Sequence, residues 1–89
     1  EEGFNFEVNK IKQGLYLFYM ELEETLGHYS DWSGTPLEDI MAINSATNFK
    51  TLKVNQKIML KLSMDQLKNF KDKRKLFHRK KYFSFTWFI

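Results

Sequence analysis

The sequence predicts an α+β fold: a strand–helix–helix–strand core, preceded by one more strand and followed by a basic helix and a strand. Three observations carry this. Leu15–Leu22 is apolar at both parities, the pattern of a strand covered on both faces. Gly34-Thr35-Pro36, with Glu38 behind it, reads as the stop of one helix and the start of the next. Ile58, Leu60 and Leu62 then alternate behind an Asn55-Gln56 turn.

In chain order, Phe4, Phe6 and Val8 alternate with Asn5, Glu7 and Asn9, which predicts a short half-buried strand. Lys10–Gly14 is read as a turn or connector into Leu15–Leu22. Thr25 is the N-cap of the first helix, with Glu23 and Glu24 near the positive end of its dipole. Leu26, Tyr29 and Trp32 recur every third position and form its apolar stripe. Gly34 ends that helix in the left-handed conformation. Thr35 is then read as the next N-cap, Pro36 as the first helical residue and Glu38 as the reciprocal member of a capping box. Leu37, Ile40 and Met41 supply the apolar face, and Asn44 closes the helix. Ser45–Lys50 is polar and turn-like, and Asn55 is suited to the positive φ of a turn before the strand Lys57–Leu62. Ser63 and Gln66 form another capping box, opening a helix with Met64, Leu67, Phe70 and Phe77 on one side. Phe83, Phe85, Trp87 and Ile89 alternate with Ser84, Thr86 and Phe88, predicting a terminal strand.

Composition narrows the function. The chain of 89 residues has no cysteine, so it holds neither a disulfide nor a thiolate metal site. His28 and His78 are far apart and fall in no metal-ligand spacing. Glu23 and Glu24 are adjacent, so their side chains diverge, and no second carboxylate converges on them as glycoside hydrolysis requires. No nucleophile elbow and no glycine-rich phosphate loop is present. A non-enzymatic protein without metal or cofactor is expected.

Charge is strongly asymmetric. Residues 1–44 carry nine acids and two bases, whereas residues 45–89 carry twelve bases and two acids. Either the two halves attract each other across one fold, or the basic half meets an anionic polymer or surface. The acidic start Glu1-Glu2-Gly3 is unlike a signal peptide, and no apolar run reaches the length of a transmembrane span. The ends read as those of a piece of a longer protein.

The ordered set Leu15–Leu22, Glu24-Thr25-Leu26, Gly34, Asn44 and Leu52-Lys53-Val54-Asn55-Gln56-Lys57-Ile58 resembles the LysM family. The segment Glu23-Glu24-Thr25-Leu26-Gly27-His28-Tyr29-Ser30-Asp31-Trp32 is similar to LysM units of bacterial murein-degrading proteins, including lytic transglycosylases, in which a basic helix also tends to follow. The resemblance covers residues 15–62, with 1–14 as a preceding strand and connector and 63–89 as a basic extension. It departs from the family where Glu23-Glu24 replaces a Gly-Asp pair, where Asn55 replaces a glycine and where Ser33 stands at a frequently aromatic position.

The resemblance implies a two-stranded antiparallel sheet, and a groove that binds N-acetylglucosamine chains between two loops. Carried onto this sequence, the ligand-binding residues are Glu24, Thr25, Leu26 and Gly27, facing Asn44, Ser45, Ala46, Thr47 and Asn48. It further implies a peptidoglycan-binding module of a longer exported bacterial protein, placed in the cell envelope or periplasm. The competing reading is a basic interaction module, in which Lys68–Lys81 binds nucleic acid or another anionic surface and the LysM-like core is a structural adaptor; nucleic acid is the less favoured partner because no recognition motif is present. Trp32 is read as core packing in preference to sugar stacking, and His28 as solvated. Because two short helices cover only one face of a small sheet, the basic extension is expected to pack on the other face, leaving the groove loops free.

Overall fold

A computed structural model describes residues 3–86 of the chain, with side chains described through Lys80. The fold is α+β. Strands β1 (Val8–Lys12), β2 (Leu15–Tyr19) and β3 (Lys57–Lys61) form one antiparallel sheet in the order β1-β2-β3. Helices α1 (Leu26–Ser33) and α2 (Leu37–Ile43) and a 3-10 turn (Phe49–Thr51) connect β2 to β3, and α3 (Met64–Thr86) follows.

The sheet has three strands where two were expected. Lys10 and Lys12 look like connector residues, yet they occupy an edge strand, where exposed lysines discourage pairing with another chain. Gly14, at φ 81°, makes the tight turn into β2, and the register slips between Lys10 and Lys12. The alternation of Phe4 and Phe6 is real but does not mark a strand. Their rings stack on each other at 5.4 Å and face the ring of His78. Period-two burial needs only an extended segment with one covered side.

Most predicted helix ends hold. Thr25 Oγ1 accepts the His28 N–H, and His28 Nδ1 accepts the Thr25 N–H, so a histidine completes the box. Gly34 closes α1 at φ 71°. Ser63 and Gln66 cap α3 reciprocally. The Thr35 cap is not formed: Pro36 occupies the N-cap position of α2, and the buried Thr35 hydroxyl makes no hydrogen bond. Of the three apolar residues expected on α2, only Ile40 is buried. The terminal strand is also overturned through Thr86, because α3 continues that far. No glycine or proline interrupts residues 63–86, so nothing local stops the helix. Trp87, Phe88 and Ile89 lie outside the described residues.

The described side chains of the extension do not cover the back of the sheet. Phe18 meets Tyr29 of α1 at 4.8 Å and Phe70 of α3 at 5.0 Å between ring centroids, so α1 and α3 share one face. At 1.5 Å per residue, α1 and α2 are each only about 12 Å or less in length. They leave part of the inner face open, and Phe70 fills it. One core therefore joins Tyr16, Phe18, Tyr29, Trp32, Ile58, Leu60 and Phe70, with Val8 packed at its margin. The opposite face, with Leu15, Leu17, Tyr19 and Met59, is only half-buried.

Candidate functional site

The turn from β2 into α1 is fixed from below by a buried carboxylate. Glu24 points inward, and its two oxygens accept five hydrogen bonds. Oε1 takes the Glu21 N–H at 2.9 Å, the Tyr29 hydroxyl and Arg74 Nη2 at 3.1 Å. Oε2 takes Arg74 Nε at 2.7 Å and His78 Nε2 at 2.8 Å. An ionised carboxylate only accepts, so His78 carries a proton on Nε2.

Arg74 is 1% exposed. Its Nη2 also donates to the Tyr19 carbonyl at 2.7 Å, and its guanidinium carbon sits 4.9 Å from the Phe18 ring centre and 5.3 Å from that of Phe6. Burial alone raises the Glu24 pKa. Hydrogen bonds from Arg74, Tyr29 and His78, with the charge of Arg74, outweigh burial and hold the carboxyl below its ordinary value of 4.5. Burial, then the charge and hydrogen bond of Glu24, push the Tyr29 phenol far above its ordinary range. Tyr29 is thus a permanent neutral donor.

Above this cluster lies a groove of about 580 Å³. One wall is the turn Glu23–Gly27 and the other is Leu52, Lys53 and Val54, with Met20 between them. Glu23 takes φ 66°, a left-handed conformation that suits glycine. Gly27 is exposed, and a Cβ there would meet only Thr25 Oγ1, at 3.5 Å. The absence of a side chain therefore widens the groove rather than permitting the backbone. As the first residues of α1, Leu26 and Gly27 have N–H groups without intrahelical acceptors.

The predicted residues divide. Glu24, Thr25, Leu26 and Gly27 all line the groove, but the Glu24 carboxylate is turned inward and the Thr25 hydroxyl is engaged as the cap. Asn44, Ser45, Ala46, Thr47 and Asn48 are not among the lining residues; the facing wall lies further along the chain, at 52–54. Asn44 is buried, and its amide bonds the N–H and carbonyl of Met59, each at 2.8 Å, so it pins α2 to the outer edge of β3. Asn48 caps the 3-10 turn through Lys50 N–H. Trp32 is core, as read. His28 is not simply solvated, because its ring stacks on Trp32 at 5.2 Å and meets Phe77 at 4.6 Å. A second depression of similar volume, about 590 Å³, lies between Thr35, Pro36, Asp39, Leu60 and Lys61, away from the α1 amides.

Among the described residues, no group of three or more His, Cys, Asp or Glu could hold a metal, and no helix is long and apolar enough to cross a membrane. No family model, curated protein or solved structure matches the chain.

Proposed function

We propose that this chain is a non-catalytic binding module for N-acetylglucosamine-containing cell-wall polysaccharide, peptidoglycan foremost, and that it anchors a larger envelope protein. The observation that carries this reading is the groove between Glu23–Gly27 and Leu52–Val54, which uses the strand–helix turn that the LysM resemblance assigns to sugar. Its chemistry suits an N-acetyl group. The free N–H groups of the first α1 turn can donate to the acetyl carbonyl, while Leu26, Leu52 and Val54 offer apolar contact for the methyl. A shallow site of this kind binds by shape and a few hydrogen bonds and needs no catalytic group.

The direct test is retention on insoluble peptidoglycan in competition with soluble N-acetylglucosamine oligomers. Displacement by oligomers at fixed ionic strength supports the reading. Retention that ignores oligomers and collapses with salt would instead assign binding to the exposed lysines of α3, the anionic-surface alternative.

A further inference from the structure

Away from the groove, a small cavity of about 210 Å³ separates the N-terminal segment Phe6–Val8 from the side of α3 that bears Lys71, Arg74 and Lys75. Three cations line it, and they differ in state. The Arg74 guanidinium is almost wholly buried, and Glu24 and the Tyr19 carbonyl engage its Nε and Nη2. Nη1 is buried without a hydrogen-bond partner. Nη1 has no surface open to the cavity, so the Arg74 charge acts there only through space. Lys71 and Lys75 are exposed, four residues apart on one helix face, and neither forms an ion pair among the described residues. Such neighbours repel each other unless an anion lies between them.

We infer that this cavity is a binding site for one monoanionic oxyanion, a carboxylate or a phosphodiester group, held by Lys71 and Lys75. The charge balance selects the class. Glu24 already neutralises Arg74, and Glu7 lines the same cavity. Two lysine charges against the Glu7 carboxylate leave a single positive charge, which suits a monoanion better than a phosphate dianion. The volume is several times the ~30 Å³ of a water molecule, so one such group fits with part of its hydration shell. Phe6, whose ring faces the guanidinium, forms an apolar wall that strengthens the charge interaction by excluding water.

The test is a titration of the full chain with sodium acetate and, separately, dimethyl phosphate at constant ionic strength, followed by NMR at the Arg74 side-chain Nε–H and the amides of Phe6–Val8 and Lys71–Lys75. Saturable shifts confined to those groups are expected for at least one probe, and the probe that saturates identifies which oxyanion the site takes. Glu7→Gln removes the competing carboxylate and should tighten binding by about fivefold. Lys71→Gln with Lys75→Gln should weaken it by about tenfold while the Arg74 Nε–H signal, a report on the intact Glu24 pair, persists. Shifts that rise linearly for both probes, that spread equally to Lys68 and Lys80, or that ignore both variants would overturn the site.

Discussion

Arg74 Nε lies 2.7 Å from Glu24 Oε2, joining residues fifty positions apart. The pair is the point at which the acidic half of the chain meets the basic half, and both side chains are almost fully withdrawn from water. Its consequence is positional. Glu24 belongs to the turn that forms one groove wall, so α3, which supplies Arg74 and His78, holds that wall in place, and none of its described side chains lines the groove.

Removing either partner leaves a buried, uncompensated charge. Glu24→Gln and Arg74→Met are each expected to cost about 3–5 kcal/mol in urea unfolding, a large share of the stability of so small a fold. In the Glu24→Gln/Arg74→Met double variant the loss should fall well short of the sum. Additive losses would show that the two side chains are not coupled.

The pH dependence has a definite sign. Glu24 is held below its ordinary value of 4.5, so its contribution is fully present above the unfolded-state value and is lost as pH falls through the folded one. Stability should therefore be insensitive to this group from neutrality down to about pH 5 and drop at lower pH. Glu24→Gln should flatten that acid limb. An equally steep limb in the variant would assign the acid sensitivity to other carboxylates.

A chain ending at Leu62 loses Phe70 from the core and both α3 partners of Glu24. It is expected to lack a cooperative thermal transition. A sharp melt of that fragment would show that residues 15–62 fold without the extension.

Asn55 has φ 73° and donates its N–H to the Met20 carbonyl at 2.7 Å, setting the turn between the Leu52–Val54 wall and β3. Asn55→Ala should cost about 1 kcal/mol in chemical unfolding, and Asn55→Gly should be close to neutral. Equal losses in both variants would mean that the side chain, and not the backbone conformation, matters there.

The elements that local chemistry dictates were legible in the sequence. Thr25, Gly34, Asn44, Asn55 and the Ser63–Gln66 pair each mark a boundary through a hydrogen bond or a left-handed residue, and each does so in the structure. What local chemistry could not reveal was which charges are buried. The stripe Phe70, Phe77 on α3 has a gap at the helical phase of residue 74, and the residue filling it is an arginine, which composition counts as surface. His78 falls on the same side. The helical spacing 70, 74, 77, 78 was a usable signal, but the partner Glu24 was hidden beside an equally acidic Glu23. The groove was half legible. Its first wall follows from the cap at Thr25, whereas the second depends on the path of residues 45–54, where no periodicity constrains the chain.

Amide mapping during titration with N-acetylglucosamine oligomers is the direct test of the proposed binding of an N-acetylglucosamine chain in the groove. Shifts should concentrate at Glu23–Gly27 and Leu52–Val54, leave Ser45–Asn48 nearly unmoved, and saturate at millimolar ligand. Gly27→Leu, which the backbone accommodates, should abolish them while preserving the melting transition. Unchanged amides on both walls at that concentration, or full binding by Gly27→Leu, would overturn the proposed sugar site.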